Sequence, residues 1–241
     1  MIEGETAMAT SLRVGGVTAL AVTLGITLAG CGSDSSSSEE TGTSEQTSTS
    51  APQTPAAAES TAPEQPPGPA YTIVDYIRDN KIEEAPVKRG APGAPTVDLP
   101  LPPGWQDAGD RAPEWSYSAM IFADPAMAED PPTIIALMSK LTGPADPAKI
   151  LEFAPNEIKN LPGYENLGDG SESELSGFAA YQIGGAYTRD GAKRMIAQKT
   201  VVIPGDGGLY VLQINADGRE DQIGPLMDAT AAIDEQAKIT P

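Results

Sequence analysis

The sequence predicts an α+β fold, an antiparallel sheet flanked by helices, on three observations. Strand-like runs follow one another through hairpin-turn residues such as Asp190-Gly191 and Gly205-Asp206-Gly207-Gly208. Helix-type periodicity is confined to short stretches near residues 73, 147 and 223. Hairpins throughout the strand-rich part argue for an antiparallel sheet with helices packed on it. All of this patterning lies in residues 71–241, a length that supports one domain with its own core.

Taken in order, Thr72 precedes the stripe Ile73, Tyr76 and Ile77, with Asp75 three residues on. That is capping-box spacing and predicts a short helix. Residues 86–104 are rich in proline and read as extended loop, with one short strand at Thr96 to Leu99 and Trp105 packing where the loop rejoins the body. Trp115 to Phe122 and Thr133 to Leu141 read as strands. Asp146-Pro147 opens a helix, with Asp as N-cap and Pro in the first turn, and Pro155 kinks or divides it. Ser171 to Ser176, Phe178 to Thr188, Lys193 to Ile203 and Leu209 to Ala216 form a meander. A last amphipathic helix, about Glu220 to Gln236, turns Ile223, Leu226, Met227, Ala231 and Ile233 toward the sheet.

The N-terminus reads as an address. Arg13 precedes the apolar run Val14 to Leu28, which is short for a membrane span and suits the core of a signal peptide. Leu28-Ala29-Gly30-Cys31 resembles the bacterial lipobox, in which the cysteine thiol accepts a diacylglyceryl group. Residues 1–30 are therefore assigned as signal peptide and Cys31 as the lipidation site. Glu3 and Glu5 do not suit a basic leader, so translation from Met8 is the preferred reading over Met1. Residues 31–70 combine the lipidated cysteine with a Ser/Thr/Pro-rich tether that cannot bury enough apolar surface to fold and that offers hydroxyls for O-linked sugars. Residues 71–241 are the globular domain. The expected location is the extracytoplasmic face of the cell membrane, held by acyl chains, with a shed form as the variant.

Composition excludes several functions. Cys31 is the only cysteine and there is no histidine, which removes Ser-His-Asp and Cys-His catalysis, Cys/His zinc sites and haem held by either residue. No cofactor is expected. The net charge is −19, so nucleic acid and anionic membrane surfaces are disfavoured partners. A hydrolase using carboxylates alone survives, and needs two acids facing each other about 5–10 Å apart across a cleft.

Tyr71–Asn80 (YTIVDYIRDN), Pro131–Gly143 (PPTIIALMSKLTG), Asp146–Leu161, Gln198–Pro204 (QKTVVIP) and Ile233–Pro241 resemble the mycobacterial lipoprotein family LpqN/LpqT over essentially the whole domain. The resemblance implies an α/β sandwich similar to the PsbP/Mog-type fold and a cell-envelope role. It further implies binding of trehalose-linked glycolipids and association with MmpL-type transporters, with host proteins as alternative partners. It brings no catalytic motif.

Candidate ligand residues come from polar side chains on strands. If Tyr210, Leu212 and Ile214 face the helices, then Gln213 and Asn215 face away. Gln198, Thr200 and Gln182 on neighbouring strands join them, while Trp115, Met138 and Met195 line an adjoining lipid groove. The leading reading is a non-enzymatic, lipid-anchored binding protein. Two glycine-rich turns and the acidic loop Asp124, Glu129, Asp130 are assigned to turns and solvation rather than to phosphate or calcium.

Overall fold

A computed structural model describes residues 69–241. The signal peptide, the choice between Met1 and Met8, Cys31 and all but the last two residues of the tether lie outside the described residues.

The domain opens with α1 (Ile73–Asp79), capped as its sequence predicts: the Asp75 amide donates to Thr72 Oγ1 at 3.2 Å, and the Thr72 amide donates to Asp75 Oδ2 at 3.0 Å. Short strands β1 (Glu83–Pro86), β2 (Thr96–Asp98) and β3 (Trp105–Asp107) follow, then β4 (Ser118–Phe122) and β5 (Thr133–Thr142). Asp146 accepts from the Ala148 amide and starts α2 (Pro147–Phe153). Pro155 ends it and begins α3 (Pro155–Lys159). The short strand β6 (Glu165–Asn166) leads to β7 (Ser171–Leu175), β8 (Phe178–Arg189), β9 (Ala192–Gly205) and β10 (Gly208–Arg219). A 3-10 turn at Glu220–Gln222 then runs into α4 (Ile223–Gln236), and β11 (Lys238–Thr240) closes the chain.

All strand pairs are antiparallel, in the order β3-β4-β5-β10-β9-β8-β6. The outer edge of β5 is shared by β4 and β1, and that of β8 by β6 and β7. Asp190 and Gly191 both take positive φ (53° and 77°), which a two-residue type I′ turn requires. β2 and β11 form a separate two-stranded ribbon.

Helices cover the sheet on both faces. Leu212 and Ile214 pack with Leu226, Ala229 and Ile233 of α4 and with Val97 and Ile239 of the ribbon. On the other face Val202, Leu209 and Val211 pack against Ile73 and Tyr76 of α1 and Ile150 and Ala154 of α2. The face expected to point away from the helices is therefore buried under α1, α2 and α3.

Two sequence expectations change, and one strand is added. Trp115 does not begin β4: the Ser116 amide and hydroxyl both bond to the Pro113 carbonyl, and this turn leaves Trp115 58% exposed. The α4 stripe is narrower than predicted. Leu226, Ala229 and Ile233 are buried, whereas Ile223, Met227 and Ala231 are exposed, because the contact runs along the i, i+3, i+7 line alone. The C-terminal strand β11, which follows the last element that the sequence predicts, pairs with β2 and is held further by the Ile239 amide donating to Ser176 Oγ at 3.0 Å.

Candidate functional site

The register of the central strands explains an opening beneath α4. Cross-strand partners share a face, so Gly184, Ala197 and Ala216 stand side by side on β8, β9 and β10 under α4. This row lowers the floor between two taller ones. On one side lies the row Gln182, Lys199, Ile214; on the other, Ala186, Met195, Gly218. Beyond the second row the helix sits tightly: a Cβ on Gly218 would come within 3.0 Å of Leu226 Cδ1. Over the low row a cleft of about 440 Å³ remains, closed above by Thr230, Ile233 and Asp234. A 150 Å³ side pocket continues it past Met195 to Ile223, Leu226 and Met227. Leu167 and Met227, 60% and 63% exposed, stand at its lip. Polar groups gather at one end: Ser171, Gln182, and the ion pair in which Lys199 Nζ crosses from β9 to Asp234 of α4.

On the opposite face the register gathers Gln198, Thr200, Gln213 and Asn215. They surround Glu157, which α3 turns inward. Gln213 Nε2 donates to Glu157 Oε2 at 2.6 Å, Gln198 Nε2 reaches the same oxygen at 3.5 Å, and Gln198 Nε2 also donates to Asn215 Oδ1 at 3.0 Å. Thr200 Oγ1 and Gln198 Oε1 are buried without a partner among the described residues. Burial raises the Glu157 pKa against the two amides, which lower it, and Glu84 adds to the rise. A second cleft, about 400 Å³, opens here between α1, α3 and β5, lined by Ile73, Val74, Ile77, Leu137, Glu84 and Glu157 among others.

The predicted site residues thus separate. Gln182 lines the α4 cleft and Met195 its side pocket. Gln198, Thr200, Gln213 and Asn215 turn their side chains to the other face of the sheet. Met138 is buried in the core against Leu212, and the exposed Trp115 lines neither cleft. Gln182 pairs with Lys199 rather than Gln198, and that single-residue offset moves it across the sheet. Sequence reasoning missed Gly184, Ala197, Lys199, Asp234 and Glu157. Small residues in strands and an acid after a helix-starting proline carry no signal that distinguishes them.

The acidic loop has structural employment. Asp124 caps a 3-10 turn by accepting from the Ala126 amide, and Asp130 pairs with Arg194 at 2.7 Å. Arg194, 4% exposed, also donates from Nε to Asp217 at 2.9 Å, and Asp217 accepts from the Tyr187 hydroxyl at 2.6 Å. Burial pulls the Arg194 pKa down, but the carboxylates of Asp217 and Asp130 outweigh it and hold it above the ordinary value. Among the described residues no group of acids is placed to hold a metal ion, and no helix is long and apolar enough to cross a membrane.

An antiparallel sheet covered on both faces by helices, with clefts at the seams between helix and sheet, makes this an α+β domain. The model of the family described as "Probable lipoprotein LpqN" matches residues 69–240. Lipoprotein LpqN of Mycobacterium tuberculosis (strain ATCC 25618 / H37Rv) is 55% identical over 179 residues, which cover 73% of this chain and 77% of that protein. A crystal structure of LpqN, described as involved in cell envelope biogenesis of Mycobacterium tuberculosis, superposes with a TM-score of 0.68, covering 72% of this chain and 100% of that one. The chain belongs to the LpqN lipoprotein family.

Proposed function

We propose that this protein is a non-enzymatic, lipid-anchored component of the cell envelope, and that the cleft beneath α4 receives the acyl chain of a trehalose-type glycolipid, which the protein presents to an MmpL-type transporter. The low row Gly184, Ala197, Ala216 carries this reading, because it leaves an apolar channel open at the surface. Met195, Leu226 and Met227 extend the channel, and methionine adapts to an irregular chain. At the polar end Gln182, Ser171, Lys199 and Asp234 offer donors and acceptors to sugar hydroxyls. Acylation of Cys31 would hold the domain near its lipids, since two or more chains give stable anchoring whereas one is marginal. The related LpqN is a protein of cell envelope biogenesis, which suits this assignment.

The test is direct binding. Purified full chain titrated with a trehalose monoester below its micelle concentration is expected to bind it saturably, and free trehalose at least about tenfold more weakly. The ester should be recovered unhydrolysed. Absence of binding, or release of free acid and sugar, contradicts the proposal.

A further inference from the structure

The α4 cleft has an edge that the packing of the domain leaves uncovered. Leu167, Ile223 and Met227 are 60%, 41% and 63% exposed, and all three line the side pocket where it reaches the surface. Leu167 comes from the loop after β6, whereas Ile223 and Met227 stand four residues apart on α4. Their stripe is not the one that seats the helix, since Leu226, Ala229 and Ile233 already fill its contact with the sheet. The loop is fastened on either side of Leu167: Asn166 Oδ1 accepts from the Gly168 amide at 3.4 Å, and the Asp169 carbonyl accepts from the Tyr181 hydroxyl at 3.3 Å. Large apolar side chains held in water around one opening mark a contact surface.

We infer that this lip is a membrane-contact edge, with Leu167, Ile223 and Met227 seated in the surface of a bilayer at the mouth of the α4 cleft. The inference rests on the reading of that cleft as a lipid site and adds the route by which the lipid arrives.

Continuity, charge and reach select a bilayer over a protein partner. The side pocket shares Gly184, Ala197 and Ala216 with the cleft, so the lip opens directly onto the low row of the floor. Each methylene exposed to water in transit disfavours transfer of an acyl chain about fourfold. A lip seated among acyl chains removes that barrier. Much of the charge beside it is paired: Lys193 reaches Glu165 at 2.8 Å and Glu220 at 3.6 Å, and Arg219 reaches Asp221 at 3.1 Å. Asp228 follows Met227 in the chain and so projects about 100° round the helix from it. Asp228 and Asp169 stay in water beside a shallow contact, which favours neutral lipid. A chain as long as that from Cys31 to Pro69 spans roughly 35 Å as a statistical coil, about the width of the domain. An acylated Cys31 thus keeps the lip within reach of the bilayer. Ala70 is bonded through both its amide and its carbonyl to Asn160 at the end of α3, on the face away from α4, so the chain joins the domain clear of the lip.

Fluorescence quenching tests the contact. Cys31 is the only cysteine and acylation blocks its thiol, so an introduced cysteine is labelled alone. The mature acylated chain is reconstituted in phosphatidylcholine vesicles with an NBD fluorophore on Met227→Cys or, as control, on Glu83→Cys at the opposite edge of the sheet. Doxyl-labelled phosphatidylcholine is expected to quench the label at 227 at least about threefold more than the label at 83. Leu167→Asp with Ile223→Asp should lower it to the control; both positions are exposed, so the variant keeps the fold. Titration with dissolved trehalose ester reports the cleft separately. Ester binding without quenching at 227 overturns the lip and leaves the cleft standing, whereas quenching without ester binding upholds the contact and removes the cleft reading. Equal quenching at the two positions, or quenching undiminished in the double variant, overturns the inference, and the edge then falls to a protein partner.

Discussion

Filling the α4 cleft from its floor should abolish lipid binding while sparing the fold. Ala197 is half-buried, sits at the centre of the low row and lines both the cleft and its side pocket. Ala197→Phe places a ring in about 440 Å³ of open space rather than in packed core. A ring there displaces about four methylenes of an acyl chain, and at about 0.8 kcal/mol each the loss is roughly 3 kcal/mol. That corresponds to about a 200-fold rise in Kd. The assay is the trehalose-ester titration of both proteins, with circular dichroism melting as the control for folding. An unchanged Kd in a variant that melts like the parent would refute the placement of the acyl chain. A variant that fails to fold would refute the claim that the floor faces open space.

Three further predictions concern the rest of the molecule. Asp217→Ala leaves Arg194 buried with Asp130 as its remaining carboxylate, and should cost about 3 kcal/mol, seen as a fall in Tm of roughly 10 °C; a fall under about 2 °C would show the network to be unimportant. Burial raises the Glu157 pKa, so between the ordinary glutamate value and the raised one the folded chain binds more protons than the unfolded chain, and this group's contribution falls as pH rises through that window. The Tm of Glu157→Gln should therefore gain on the parent from mildly acidic to neutral pH, and a difference independent of pH would contradict the shift. Cys31→Ala should move the protein from the membrane to the soluble extracytoplasmic fraction with the Tm of the domain unchanged; retention in the membrane fraction would show another anchor.

Local chemistry made much of the fold legible. Thr72 with Asp75, Asp146 with Pro147, and Asp190 with Gly191 each satisfy a backbone requirement within a few residues, and the structure uses all three as their sequence suggests. Pairings that close over long separations left no such mark. β11 meets β2 about 140 residues away through three residues each, too few for a period to show. The same limit governs the candidate sites. Polar residues on β8, β9 and β10 were visible one strand at a time, but their grouping depends on register. Gln198 opposite Asn215 and Gln182 opposite Lys199 put amides on both faces. Glu157 follows Pro155 in a five-residue helix, and its amide partners Gln198 and Gln213 stand 41 and 56 residues further along the chain.

The account rests on the α4 cleft carrying a glycolipid in the cell, and native mass spectrometry of protein taken gently from envelope membranes tests this most directly. The parent chain should arrive with an additional mass that fragments to a trehalose lipid, and Ala197→Phe isolated in the same way should arrive without it. A parent chain free of lipid, or equal lipid on both proteins, would contradict the account.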